Sequence, residues 1–70
     1  MASEYEIKVK GRMTSSLAAM FERHQLDVAE EPVETVLRGR FEDQAALYGL
    51  LRQVESLGLE LVEVRRLPGG

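Results

Sequence analysis

Alternating apolar and polar residues open the first half of the chain and predict a β-strand. Tyr5, Ile7 and Val9 alternate with charged residues, as in a strand with one buried face. A helix is predicted next, because hydroxyl residues suited to N-capping at 14–16 precede apolar residues at helical spacing. That stripe consists of Leu17, Met20, Phe21 and His24. A short second strand follows at 26–28 and ends before Pro32, since proline cannot donate to a sheet ladder.

The second half repeats this order with a longer helix. Alternation predicts a third strand whose inner face carries Val33, Thr35, Leu37, Gly39 and Phe41. Asp43 is the predicted N-cap of the next helix, and Gly58 is its predicted stop. Between them lies an apolar stripe of Leu47, Leu50, Leu51, Val54 and Leu57, of which the first four are predicted to be deeply buried. Residues 59–66 are predicted to form the last strand.

A short sequence repeat relates the two halves. Lys10-Gly11-Arg12-Met13 returns 28 residues later as Arg38-Gly39-Arg40-Phe41. Two strand–helix–strand units predict an α+β fold of the ferredoxin-like βαββαβ type. This is a two-layer sandwich in which both helices cover one face of a four-stranded antiparallel sheet, with the first and third strands central. We expect one domain over residues 1–66 and a flexible tail over 67–70.

The bulk composition is that of a small globular domain. The chain has 70 residues, no cysteine, 44% hydrophobic residues and a net charge of −3. No apolar run approaches the ~20 residues that span a bilayer, and no secretion signal opens the chain. We therefore expect a cytoplasmic protein without membrane contact. The negative charge argues against strong non-specific binding to nucleic acid.

The glycine–arginine pairs of the repeat are the candidate ligand-binding residues. Glycine weakens a strand, so its recurrence needs a reason. The favoured reason is packing, in which Gly11 and Gly39 let the helices approach or permit a bulge. The alternative is a ligand bound at the strand-to-helix turn by this exposed backbone together with Arg12 and Arg40. A phosphate-binding loop motif is absent from the sequence.

Five cations are predicted on the outer face of the sheet. They are Lys8, Lys10, Arg12, Arg38 and Arg40. A solvated face with cross-strand charge pairs is the favoured interpretation. The alternative is an RNA surface, which is disfavoured because RNA-binding sheets of this topology expose aromatic residues on their central strands. Here Tyr5 and Phe41 are predicted to face the core.

Three valines are also predicted on the outer face. Val36, Val62 and Val64 would form an exposed β-branched surface, which suggests a partner. A slip of the strand register would move such residues to the inner face. Because a domain of this size has a marginal core, we expect a homodimer, formed through the sheet face or by edge pairing.

Residues that could support catalysis are too few for a site. His24 is the single histidine, whereas catalytic triads and zinc sites need further partners. Glu30, Glu31 and Glu34 could bind a hard cation, although a solvated acidic turn is the favoured interpretation. We therefore expect no enzymatic activity, no metal and no cofactor.

The segment from Phe41 to Leu51, with the helix exit at 57–61, resembles a group of short uncharacterised bacterial proteins. They share a D-Q-A-A-L-x-G-L-L helix start and an L-G-L-x-L helix exit, and often have His where this chain has Tyr48. The resemblance implies no activity and no site residues. The predicted topology is also similar to ACT-type regulatory domains, but their aspartate and proline–glycine signature is missing from residues 11–16.

These observations favour a small non-enzymatic interaction or regulatory module. It would form a homodimer and bind a partner protein or a small ligand. One alternative is RNA binding through the basic face. Another is a ubiquitin-like modifier, suggested by Gly69-Gly70 after an arginine-rich strand, although such modifiers have a different order of strands.

Overall fold

The computed structural model describes residues 2–68 and shows an α+β fold. In this range the elements follow the predicted order: β1 (Ser3–Lys10), α1 (Ser15–Arg23), β2 (Asp27–Glu30), β3 (Thr35–Phe41), α2 (Gln44–Ser56) and β4 (Glu60–Arg66). The strands form one antiparallel sheet in the order β2-β3-β1-β4, so the prediction that β1 and β3 are central is confirmed. Neither helix in this range is long and apolar enough to cross a bilayer.

One apolar core lies between the two helices and the inner face of the sheet. The sheet contributes Ile7, Val9 and Leu37, which are essentially inaccessible to solvent. Phe21 of α1 and Val54 of α2 are equally buried and belong to the same cluster. Both helices therefore cover one face, and each fully buried side chain of this size contributes about 1.5–3 kcal/mol.

Both helices begin at the predicted type of N-cap. The Thr14 hydroxyl accepts a hydrogen bond from the Leu17 N–H at 3.1 Å. The Asp43 carboxylate accepts one from the Ala46 N–H at 2.9 Å. Each cap satisfies one of the N–H groups that the first turn leaves without a partner.

Both helices also end with the same backbone arrangement. The Leu26 N–H donates to the Phe21 carbonyl at 3.1 Å, and the Leu59 N–H donates to the Val54 carbonyl at 3.2 Å. The residue before each leucine has a positive φ. These residues are Gln25 (φ 65°) and Gly58 (φ 80°). The arrangement is a Schellman motif, which turns the chain from the helix toward the next strand.

Four side chains of the predicted inner stripes lie outside the core. Val33 is 73% exposed because β3 begins only at Thr35 and the preceding residues form a turn. Leu51 is half-buried at the margin of the core, and Leu57 is exposed at the C-cap of α2. His24 is exposed at the C-cap of α1. Val33, Leu57 and His24 show that the predicted stripes extended too far at their ends, whereas Leu51 is only half-buried although it lies within α2.

The last strand contains an irregularity that periodicity did not reveal. Along β1 and β4, Lys8 lies opposite Glu63 and Val9 lies opposite Leu61. Val62 is therefore the extra residue of a β-bulge. The bulge places Val64 opposite Ile7, and Val64 packs against the core. The prediction that Val64 faces outward is wrong for this reason.

Candidate interaction surfaces

The structure does not bring the four predicted ligand-binding residues together. Gly39 lies opposite Tyr5 in the middle of the sheet, whereas Gly11 and Arg12 follow the far end of β1. Six residues of strand separate Tyr5 from Gly11, which is roughly 20 Å at the rise of a β-strand. Gly11-Arg12 and Gly39-Arg40 therefore cannot form one small-molecule site. Their shared sequence motif occurs in a turn in one copy and inside a strand in the other.

Each repeated glycine instead makes room for a leucine of the other half. A methyl group added at Gly39 would overlap Leu26, and one added at Gly11 would lie 2.7 Å from Leu59 Cδ2. Gly11 also has a φ of 139°, a conformation that other residues rarely adopt. These contacts support the packing interpretation of both glycines.

Arg40 lines a groove between the end of β3 and the two helices. The groove has a volume of about 250 Å³. Its apolar side includes Leu26, Phe41 and Leu50, and its polar side includes His24 and Arg40. Arg40 forms no ion pair with any residue from 2 to 68. Glu42 and Gln53 also line the groove, so its polar groups include both signs of charge and do not favour an anionic ligand.

A buried carboxylate organises the outer face of the sheet. Glu6 lies directly opposite Arg38 on one side and Arg65 on the other, because β1 is central. Its two oxygens accept hydrogen bonds from Arg38 at 2.6 Å and from Arg65 at 3.0 Å. Only 6% of Glu6 is exposed. Asp27 lies opposite Arg38, so charges alternate in sign across all four strands.

These contacts shift the acid–base equilibria of Glu6 and Arg38. The hydrogen bond from Arg38 lowers the pKa of Glu6 and outweighs the opposing effect of its burial. The charges of Arg65, Arg38 and Lys8 lower it further. The same hydrogen bond with Glu6 raises the pKa of Arg38. Both members of this pair thus stay ionised at neutral pH.

The cations predicted to form a basic face lie beside carboxylates. Lys8 Nζ lies 3.5 Å from Glu63 and 3.9 Å from Glu34. Lys10 lies opposite Glu60 and Arg40 opposite Glu4 in the strand registers. On this face the carboxylates outnumber the cations. They are Glu4, Glu6, Asp27, Glu31, Glu34, Glu60 and Glu63, against Lys8, Lys10, Arg38, Arg40 and Arg65.

The three valines proposed for a dimer surface have different environments. Val36 faces outward and lines a shallow depression on the outer face with Ala29 and the Glu6–Arg38 pair. Val62 is 43% exposed at the bulge of β4. Val64 belongs to the inner face, as described above. The outer face therefore has no continuous valine surface, and the exposed apolar residues of β4 lie along its edge.

The two edges of the sheet differ in length and chemistry. The β2 edge has four residues, of which Asp27 and Glu30 are acidic, and the turn with Pro32 follows it. The β4 edge has seven residues and exposes Leu61 at 37% together with Val62. Short charged edges next to proline resist pairing with other strands. Within residues 2–68, β4 is the longer of the two edges, and it carries two exposed apolar side chains among four charged ones.

Sequence reasoning missed the role of Glu6. Its position in the alternating pattern placed it on the outer face, where a carboxylate is normally solvated. The available signal was the arginine on each of the two strands that the topology places beside β1. That signal becomes usable only when the register is known, since a shift by one residue moves both arginines to the other face.

The comparisons with known proteins give a family and no function. No curated protein and no solved structure matches the chain. Residues 2–68 contain no group of three or more side chains able to hold a metal ion. A family model described as "Domain of unknown function (DUF8691)" matches residues 4–65, which include every strand and helix described above except the ends of β1 and β4. The chain belongs to this family.

Proposed function

We propose that this chain is a small non-enzymatic interaction module of ferredoxin-like, ACT-like topology that forms a homodimer through the edge of β4. The order βαββαβ and the central position of β1 and β3 support the topology. The single observation that carries self-association is the exposed apolar edge formed by Leu61 and Val62. Pairing this edge with a second copy would cover both side chains and satisfy the free backbone groups of the strand.

The outer face is a weaker candidate for the dimer interface. Its centre is occupied by the ion pairs of Glu6 with Arg38 and Arg65. Burying these groups against a second copy would remove the solvent that surrounds both half-exposed arginines, at a desolvation cost that ion pairing often does not repay. Pairing through the edge of β4 would leave the outer face open to solvent, so the Glu6–Arg38 pair would keep its surroundings.

The test is the solution mass of the wild type and of Val62→Glu across a range of concentrations, by light scattering after size exclusion. The wild type is expected to dimerise, and Val62→Glu is expected to remain a monomer because a charged residue added to an edge strand opposes strand pairing. The matched control is Val33→Glu, which makes the same change at an exposed valine beside the β2 edge. It should dimerise like the wild type.

Two results would contradict the proposal. One is a wild type that stays monomeric at every concentration. The other is a dimer that Val62→Glu and Val33→Glu weaken equally, which would move the interface away from β4. A bound partner protein at the same edge would compete with dimerisation, and a small ligand would occupy the groove at Arg40.

The two alternative functions receive less support. RNA binding would need a cationic surface, whereas the outer face carries a carboxylate beside each of its cations other than Arg12, which follows β1 in a turn. Conjugation as a ubiquitin-like modifier depends on Gly69-Gly70, which lie outside the described residues. The backbone leading to them is joined to the sheet, since the Leu67 N–H donates to the Glu4 carbonyl at 2.8 Å.

A further inference from the structure

The bulge in β4 determines which residues of the strand share a face. Val9 and Ile7 lie on the inner face, so their partners Leu61 and Val64 share that face although they are three residues apart. Lys10 and Glu6 lie on the outer face, so their partners Glu60 and Arg65 share that face although they are five residues apart. In a regular strand, residues separated by an odd number of positions lie on opposite faces.

A two-fold dimer of β4 strands must respect these faces. Residues directly opposite each other in an antiparallel pair place their side chains on the same side of the sheet. Because of the bulge, a two-fold axis between Val62 and Glu63 meets this requirement. Leu61 then faces the partner subunit's Val64 on the inner side, and Glu60 faces the partner subunit's Arg65 on the outer side. Symmetry makes each contact occur twice.

Neighbouring registers fail on the same criteria. A shift by one residue in either direction places inner residues opposite outer ones, since Leu61 would face Glu63 or Arg65 of the second copy. A shift by two residues in one direction places Glu60 opposite Glu63, two like charges. A shift by two in the other direction places Glu63 opposite Val64, which again mixes the faces.

We infer that two copies of this chain join their β4 strands in this register, as one continuous eight-stranded antiparallel sheet with a reciprocal Glu60–Arg65 contact between subunits. The inference rests on the proposed function and specifies its interface. Arg65 would then lie between Glu6 of its own chain, at 3.0 Å, and Glu60 of the second copy. The alternating row of charges would continue from one subunit into the next.

The test is a charge exchange. Glu60→Lys places two cations opposite each other at both contacts, and Arg65→Glu does the same with two anions. Each variant alone is expected to dimerise at least about tenfold more weakly than the wild type, because attractive cross-strand pairs become repulsive. An equal mixture of the two variants restores opposite charges at both contacts, so it should form a heterodimer close to wild-type affinity. Native mass spectrometry identifies the mixed species.

A second measurement avoids the loss of the Glu6–Arg65 ion pair. The sequence contains no cysteine, so Leu61→Cys in one chain and Val64→Cys in another introduce the only thiols. Directly opposite residues have the Cα separation that a disulfide requires. Mixing these two variants under mild oxidation should give a crosslinked dimer. The matched control, Leu61→Cys mixed with Val62→Cys, should crosslink much less.

The outcomes separate the two proposals. If the wild type is monomeric throughout, the proposed function fails and the register with it. If the wild type dimerises while both charge variants dimerise equally well and the cysteine pairs crosslink without preference, this register is wrong and self-association stands. Heterodimer formation together with the selective Leu61–Val64 crosslink supports the register.

Discussion

The two strand–helix–strand halves of this chain share their helix ends and differ in their second strands. Each helix begins at a side-chain cap and ends in a Schellman motif followed by a buried leucine, Leu26 in one half and Leu59 in the other. The strand that follows is four residues long and acidic in the first half, and seven residues long with a bulge in the second. The two halves thus have the same backbone arrangement at the ends of their helices, but their edge strands differ in length and charge.

This difference teaches that backbone turns and exposed edges are under separate physical constraints. A helix that leaves the core toward a sheet needs its last carbonyl groups satisfied, whatever follows. An edge strand needs protection from unwanted pairing, or a partner to pair with. The first half has the protected edge, and the second half has the edge that we propose to be paired.

The largest effect is expected where the halves touch. Gly39→Ala should lower the free energy of unfolding by about 1–3 kcal/mol, because the added methyl group would overlap the Leu26 side chain and meet the Gln25 carbonyl at 3.4 Å. Urea unfolding monitored by circular dichroism measures it. The matched control is Gly49→Ala in α2, where a methyl group would have no neighbour within 4 Å.

The free energy of unfolding of Gly49→Ala is expected to rise by about 1 kcal/mol, since alanine is a better helix former than glycine. A loss of stability in Gly49→Ala, or no change in Gly39→Ala, would contradict the contacts described for these two glycines. A glycine inside a helix often marks close packing against a neighbouring element, but Gly49 has no such neighbour.

A smaller effect should distinguish the two helix exits. Gly58→Gln gives the second exit the residue found at the first, and it should cost about 1 kcal/mol because a side chain is unfavourable at φ 80°. Gln25→Gly makes the reverse exchange at φ 65° and should raise the free energy of unfolding by less than about 1 kcal/mol, since the added chain flexibility offsets part of the gain.

Thermal unfolding of both variants measures this pair. Opposite signs are expected for the two exchanges. If both exchanges lowered the midpoint by the same amount, the two helix ends would not have the same backbone arrangement. The structural equivalence of the two Schellman motifs would then be wrong.

The smallest effect concerns Glu6, which joins the halves through Arg38 and Arg65. Its pKa in the folded protein lies below the ordinary value of 4.5, so its stabilising contribution is present at neutral pH and is lost as the pH falls through the folded pKa. Glu6→Gln should therefore lose less stability than the wild type on acidification below pH 4.5. The effect is small because both arginines are half exposed and screened by solvent.

Unfolding midpoints at neutral and acidic pH, compared between wild type and variant, give the result. The matched control is Glu63→Gln, which removes a more exposed carboxylate from the same face. Identical pH profiles for wild type and Glu6→Gln would show that Glu6 is not the group described here.

The element order and the caps were predictable because they depend on local patterns. Alternation located β1 and β3, and Asp43 and Gly58 marked the ends of α2 as the structure has them. The central position of β1 and β3 followed from the order of the elements. These features each involve residues close in sequence or a general rule of chain connection.

The candidate surfaces were less predictable because they depend on registers between distant strands. One extra residue at Val62 moved Val64 to the core, and no periodicity in seven residues reveals it. The predicted basic face contained four of the cations on the outer face, but it included Arg12 and missed Arg65. The carboxylates that meet these cations come from other strands. The repeated Gly-Arg pair looked like one motif, although its copies lie in different backbone contexts.

The position of β4 also has a consequence for the order in which the molecule can assemble. β1 lies near the start of the chain, whereas β4, the second strand that pairs with it, is the last in the sequence. Arg65 and Glu6, which join these two strands, are 59 positions apart. Until β4 pairs, Ile7 and Val9 lie on an unfinished sheet with one side unpaired. Long-range pairing of this kind slows folding relative to contacts within each helix. Completion of the sheet therefore requires the last strand of the chain, and the same strand carries the edge through which we propose that two copies join.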